Sequence, residues 1–332
     1  MGRDRARIEV TGLSKRFGRV QAVRGLGFTA EPGRVTGFLG PNGSGKTTTL
    51  SMALGLIRPD AGAATIGGEP YAALERPALT VGASLSADFH PAHTGRAHLD
   101  IMRRAIGVPK ARVDEALGLV GLSDSADRRT RAYSLGMRQR LALAGALLGD
   151  PSVLILDEPI NGLDPEGIRW IRVLLRHFAS EGKTVLLSSH LLSEVQQTVD
   201  DVVVIRGGEL AYAGTLTDLQ RGAGAPAVLI AAVDQPTLAR ALEQAGARVQ
   251  GVRGETMRVH GLDVAAVGVV ALEAGIALTH LSVEQAELEQ SFLELVDGAD
   301  RADADRADAD RADAGRQPPD ETGAGTRDWG AS

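Results

Sequence analysis

Short apolar runs recur along the first two-thirds of the chain, separated by longer segments whose apolar residues return every third or fourth position. VTGFLG (35–40), VLILD (153–157), TVLLSS (184–189) and VVVI (202–205) lack the alternation of a half-solvated strand, so each predicts a strand buried on both faces. Helical patterns between them predict a largely parallel sheet in an α/β unit. IEVTGL and GLGFTA, earlier in the chain, predict strands of a smaller antiparallel layer. Between Pro91 and Gly149 the pattern is helical, which predicts a helical insert over about residues 88–150 within a unit at 6–221.

From residue 222 the linker RGAGAP opens a second unit, expected over 226–297. VLIAAV, TMRVHG and IALTHLSV read as strands there, with helices at PTLARALEQAG and VAAVGVVALEAG, predicting a small α+β accessory domain of ferredoxin-like or similar type. LEQSFLELV closes it, with Leu288, Phe292 and Leu295 on one helical face. Beyond it DRADADRADADRADAG repeats every five residues, matching neither helix nor strand period, and predicts a disordered tail over 298–332.

The 332 residues suffice for two domains, and 43% hydrophobic with 23% charged residues suits globular folding. Net charge is −6, of which residues 299–332 carry −4, so the body lacks the basic face that nucleic acid demands. The absence of cysteine excludes disulfides, thiolate metal sites and cysteine nucleophiles. No window approaches the roughly 18 apolar residues needed to span a bilayer, so work at a membrane would need a partner that spans it.

GPNGSGKTT, residues 40–48, follows a predicted buried strand and precedes an apolar helix. That context gives G-x-x-x-x-G-K-[ST] its meaning: the loop turns backbone N–H groups toward phosphate oxygens at a helix N-terminus. Gly40, Pro41, Asn42, Gly43, Ser44 and Gly45 form the cradle, Lys46 reaches the outer phosphates, and Thr47, followed by Thr48, offers a hydroxyl to Mg²⁺. At the end of VLILDEP, strand alternation predicts that Asp157 and Glu158 point apart, Asp157 toward Mg²⁺ and Glu158 toward an attacking water as general base. His190, closing TVLLSSH, could contact the outermost phosphate or be structural. Asp164 in NGLDP could cap a helix beginning at Pro165, serve the site, or do both. Ser134 in YSLGMRQR likewise reads as a cap or as half of an anion site.

Taken together, residues 6 to about 220 resemble the ATP-binding subunit of an ABC transporter, with the motifs in the right order. GPNGSGKT resembles Walker A, VLILDE Walker B, NGLD the D-loop and His190 the switch histidine. YSLGMRQR stands where the family has its LSGGQ signature; Ser134 and Gly136 are kept, while Tyr133, Leu135 and Met137 are replacements. The resemblance implies a P-loop ATPase binding ATP and Mg²⁺, with Ser134 and Gly136 covering the phosphate held by a second cassette and Phe17 stacking on adenine; a core Phe is the alternative. It further implies a separately encoded integral membrane permease, a homodimer in preference to a heterodimer, no nucleic acid partner, and a place at the cytoplasmic membrane face.

The chain departs from the family at VGASLSADF, which puts Ser86 where the Q-loop glutamine is expected; Asp88 could substitute only if the loop were shifted. The next segment, FHPAHTGRAHLDIMRRAIG, resembles the family's coupling region to the membrane subunit. The drifted signature, Ser86 and the C-terminal unit together resemble the bacitracin/daunorubicin type of drug-export ATPase. The alternatives are a soluble ABC-type regulatory ATPase, disfavoured by the single cassette and near-neutral body, and a catalytically weak partner of a heterodimer, disfavoured by Glu158 and His190.

Overall fold

In the computed structural model, residues 6–222, 227–251 and 256–284 are described. The chain opens with β1 (Ile8–Phe17) and β2 (Val20–Ala30), an antiparallel hairpin, followed by β3 (Val35–Leu39), α1 (Lys46–Ala53) and β4 (Ala61–Ile66). β4 pairs with β1, completing a three-stranded antiparallel sheet in the order β2-β1-β4. A short α2 (Pro77–Thr80) leads into β5 (Val81–Ser84). Three helices follow, α3 (Gly95–Ile106), α4 (Ala111–Leu119) and α5 (Leu135–Leu147).

The α/β pattern then resumes with β6 (Val153–Leu156), α6 (Pro165–Ser180), β7 (Thr184–Ser189), α7 (Leu192–Val195), β8 (Asp201–Arg206), β9 (Glu209–Thr215) and α8 (Leu216–Gly222). The six-stranded sheet runs β5-β6-β7-β3-β8-β9, parallel except for β9. Two of the expected runs end one residue early: Gly40 and Asp157 fall just past their strands.

Alternation still operates inside these apolar runs, but between two cores. Leu154 and Leu156 of β6, Val185 and Leu187 of β7, and Val202 and Val204 of β8 face a cluster built with α5 and α6. Val153, Ile155, Leu186, Val203 and Ile205 face the opposite cluster, shared with α1 and the antiparallel sheet. Both faces are covered, so every position must be apolar and the run looks continuous. Removing one such leucine side chain would cost about 2–5 kcal/mol through lost burial and the cavity left behind.

The chain continues with β10 (Ala227–Ala232), α9 (Gln235–Gln244), β11 (Arg248–Gly251), β12 (Met257–His260), α10 (Val264–Glu273) and β13 (Leu278–Glu284). Their antiparallel sheet has the order β11-β12-β10-β13, and Val228, Ile230, Leu238, Val259 and Val267 share a small core. Asp234 and Asp263 cap α9 and α10, accepting from the N–H groups of Thr237 and Ala266 at 3.2 and 2.7 Å. The stripe Leu288, Phe292, Leu295 and the repeat tail lie outside the described residues.

Candidate functional site

β6, β7 and β3 are neighbours in one parallel sheet, so the segments leaving their C-terminal ends lie side by side. From β3 comes the loop 40–45, from β6 the pair Asp157 and Glu158, and from β7 the residue His190. Such strand ends are where open α/β sheets bind ligands.

The loop after β3 is closely fitted. Gly45 takes φ 102°, and a Cβ there would overlap the carbonyl oxygen of Ala22 on β2, so both conformation and space require glycine. A Cβ on Gly40 would overlap the carbonyl oxygen of Ile205 on β8. Ser44 accepts at its backbone from Gly208 N–H at 3.1 Å, while its buried Oγ has no hydrogen-bond partner. Lys46, 6% exposed, curls back to donate to the carbonyls of Gly40 and Pro41 at 2.7 and 3.2 Å. Pro41 and Thr48 are half-buried, and Asn42, Gly43 and Thr47 are exposed.

The two carboxylates have separate partners. The hydroxyl of Thr47 donates to Asp157 Oδ2 at 2.6 Å, and Ser188 donates to Asp157 Oδ1. Glu158 Oε2 meets His190 Nδ1 at 2.9 Å, and its Oε1 lies 3.5 Å from Lys46 Nζ. The two carboxylates reach adjacent residues at the start of α1, Asp157 to Thr47 and Glu158 to Lys46, and strand alternation does not set their directions, because β6 stops at Leu156. Glu158 adopts φ 47°, a left-handed conformation costly for a non-glycine residue, and its N–H is held by Ser188 Oγ at 2.8 Å. Ser188 carried no signal in the sequence, where it reads as the end of an apolar strand.

A second group gathers at the start of α5. Ser134 caps the helix, accepting from Met137 N–H at 3.2 Å, and is exposed. Leu135 packs over Gly162, which has φ 77°, and Gln139 donates to the Asn161 carbonyl at 3.4 Å. Asp164 caps α6, accepting from Gly167 N–H at 2.8 Å. Among the described residues no hydrogen bond or ion pair joins Ser134, Gly136 or Asp164 to the loop 40–48.

Phe17 is 47% exposed at the tip of the β1–β2 hairpin, with Lys15 Nζ 5.5 Å from its ring centre, so it is not a core residue. Ser86 and Asp88 are exposed beyond the end of β5. Farther on, burial and the nearby His93 hold the pKa of His98 below the usual imidazole value, and Phe89 meets its ring edge-on at 4.8 Å.

The geometry accommodates a triphosphate and a hard divalent cation. The glycine positions leave main chain where side chains would otherwise stand, an orphaned buried hydroxyl lies in the loop, and Thr47 and Asp157 present oxygen donors side by side.

Residues 23–161 match the family model described as ABC transporter, and residues 226–289 match one described as a domain of unknown function. The bacitracin transport ATP-binding protein BcrA of Bacillus licheniformis is 42% identical over 207 residues, covering 61% of this chain and 68% of that protein. The Nod factor export ATP-binding protein I of Ralstonia nicotianae is 37% identical over 263 residues, covering 77% of this chain and 82% of that protein. A solved ATP-binding subunit of an ABC transporter superposes with a TM-score of 0.59 at 27% identity, covering 65% of this chain and 92% of that one.

Proposed function

Because the chain belongs to the ATP-binding subunits of ABC transporters, we propose that it hydrolyses MgATP at the junction of two cassettes and so drives a separate permease exporting a drug-like or lipophilic compound. The observation that carries the ATPase chemistry is the convergence of Lys46, Thr47, Asp157, Glu158 and His190 at the ends of three adjacent strands. Export rests on the two relatives, one named for bacitracin transport and one for Nod factor export. No helix among the described residues is long and apolar enough to cross a membrane; the proposed station is the cytoplasmic face of the membrane, through the permease.

The roles follow from the contacts. The loop of Gly40, Pro41, Asn42, Gly43, Ser44 and Gly45 presents N–H groups to the phosphates, with Thr48 in the first turn beside it. Lys46, which donates to the Gly40 and Pro41 carbonyls, would turn to neutralise the outer phosphates. Thr47 and Asp157 would hold Mg²⁺, which supplies charge neutralisation between phosphates. Glu158 accepts the proton of the attacking water, and His190, bonded to the same carboxylate, fixes its orientation. The exposed Phe17 offers a face to adenine.

Ser134, Gly136 and Asp164 act on the other cassette's nucleotide. They are engaged with α5, α6 and residues 161–163, away from this chain's own loop. A hydroxyl and a helix N-terminus facing an anion add stabilisation as its charge grows. Two copies of this chain are the preferred pair.

Glu158→Gln tests the reading. The amide cannot take up a proton but preserves size, so steady-state turnover should vanish while ATP binding survives and a dimer accumulates on ATP addition. Near-normal turnover in that variant would remove Glu158 as the base, and turnover without any ATP-dependent dimer would remove the two-cassette site.

A further inference from the structure

Ser188 is one of three buried hydroxyl residues of β7, with Thr184 and Ser189, and its partners explain its place there. Parallel pairing sets Leu156 beside Leu187, so the residues that follow, Asp157 and Ser188, run on together past the end of β6. Ser188 Oγ then makes two contacts at once, donating to Asp157 Oδ1 and accepting the Glu158 N–H at 2.8 Å. Asp157 Oδ2 is held from the other side by Thr47 at 2.6 Å, and the Glu158 side chain by His190 at 2.9 Å.

We propose that Ser188 is a positioning residue for ATP hydrolysis: its one hydroxyl ties the Asp157 carboxylate to the left-handed backbone of Glu158. The inference rests on the reading of Glu158 as general base. A residue at φ 47° relaxes toward the extended or right-handed regions unless its surroundings hold it. The hydrogen bond to the Glu158 N–H supplies that restraint where it acts on the backbone, and the bond to Asp157 keeps the second carboxylate turned toward Thr47. Loss of the hydroxyl removes one restraint on the Asp157 carboxylate and one on the Glu158 backbone, leaving Lys46 and the phosphate loop in place, so the chemical step suffers more than nucleotide affinity.

The test is steady-state ATP turnover by the full-length chain carrying Ser188→Ala, Ser188→Cys or Ser188→Thr, beside Glu158→Gln and the Ser188→Ala/Glu158→Gln double variant. Thermal stability and affinity for a non-hydrolysable ATP analogue are measured on each. Removing a hydrogen bond to a charged group predicts a fall in kcat of roughly tenfold to a hundredfold in the Ala variant, with KM changed less than about twofold. Cysteine nearly preserves volume but donates weakly, so it should lose activity like alanine; threonine keeps the hydroxyl and should recover most of it. In the Glu158→Gln background, where turnover is already lost, adding Ser188→Ala should leave affinity for the ATP analogue unchanged, because Lys46 and the phosphate loop stay in place. Turnover of Ser188→Ala close to the parent's, with Glu158→Gln inactive, would overturn the assignment while leaving the base in place. Equal losses in the Ala and Thr variants, matched by equal losses of thermal stability, would assign Ser188 to folding and overturn it also. If Glu158→Gln itself turned over normally, the base reading would fail on its own measurement.

Discussion

Ser134 is the position where a structural and a ligand-binding role can be separated by magnitude. Its hydroxyl accepts from Met137 N–H at 3.2 Å, so Ser134→Ala leaves a first-turn donor of α5 without its cap. Caps of this kind are worth about 1 kcal/mol, which for a unit of roughly 150–250 residues lowers Tm by about 2–4 °C. The proposed contact with the other cassette's phosphate is larger. A hydrogen bond to a charged group contributes about 1.5–3 kcal/mol and occurs twice in a symmetric dimer, so its loss should weaken ATP-driven dimerisation by roughly 10²- to 10⁴-fold. Ser134→Asp separates the two effects. Aspartate caps as well as serine, so Tm should stay within about 1 °C of the parent, yet its charge would face phosphate and dimerisation should be lost. The assay is sedimentation of the Glu158→Gln background with and without ATP, with Tm measured on the nucleotide-free protein. A Ser134→Asp variant that still dimerises with ATP like its parent would refute the phosphate contact and leave Ser134 as a cap alone.

Gly136→Ala should give a related dissociation of effects: a Cβ there meets Leu163 at 3.6 Å and the Gly162 carbonyl at 3.7 Å, ordinary contacts, so nothing within the chain demands glycine. Tm should hold or rise, since alanine favours helix by up to about 1 kcal/mol, while ATP-driven dimerisation should weaken; unchanged dimerisation would dismiss the close approach of a partner nucleotide. His98 predicts a pH effect on stability. Its pKa is held below the usual imidazole value, first by burial and then by His93, so as pH falls below about 6.5 the unfolded chain takes up the proton before the folded one. Stability should therefore decline across that window and level off below the folded pKa. Denaturant titrations at several pH values should show a shallower decline in His98→Gln, and an unchanged slope would reject the assignment.

The sequence made some of this readable and hid the rest for identifiable reasons. GPNGSGKTT announces itself because its glycines, lysine and hydroxyls act locally, within one strand-loop-helix unit. Caps at Ser134 and Asp164 are local too, and both form. Strands β4, β5, β9 and β11 escaped: AGAATI is a largely exposed edge of small residues, VGAS is short, small and only partly buried, ELAYAGT is an exposed antiparallel edge, and RVQG is a four-residue edge. Their pairing is set by neighbours distant in the chain rather than by pattern. Ser188 escaped for the same reason. Its two contacts exist only because β7 lies beside β6 and because Glu158, a non-glycine residue, turns left-handed.

Two of the three replacements in YSLGMRQR, Leu135 and Met137, are best understood from their contacts. Met137 is partly buried against the main core, and Leu135 lies over Gly162, whose positive φ and missing side chain make room for it. Neither position supplies a side-chain hydrogen-bond donor to phosphate: Met137 packs against the core, and Leu135, 55% exposed, carries no polar group. Ser134 is exposed with a hydroxyl to offer, and Gly136, half-buried, has no side chain to obstruct its backbone. The consequence reaches past the helix start. Residues 158–164 form one short path, turned by hydrogen bonds from Asn161 N–H to the Glu158 carbonyl at 3.2 Å and from Leu163 N–H to the Ile160 carbonyl at 3.1 Å. Its far end is anchored by the Asp164 cap and its middle by Leu135 and Gln139. In this chain, then, a leucine where the family motif has glycine fastens the helix proposed to read the partner's nucleotide to the turn that carries the proposed general base.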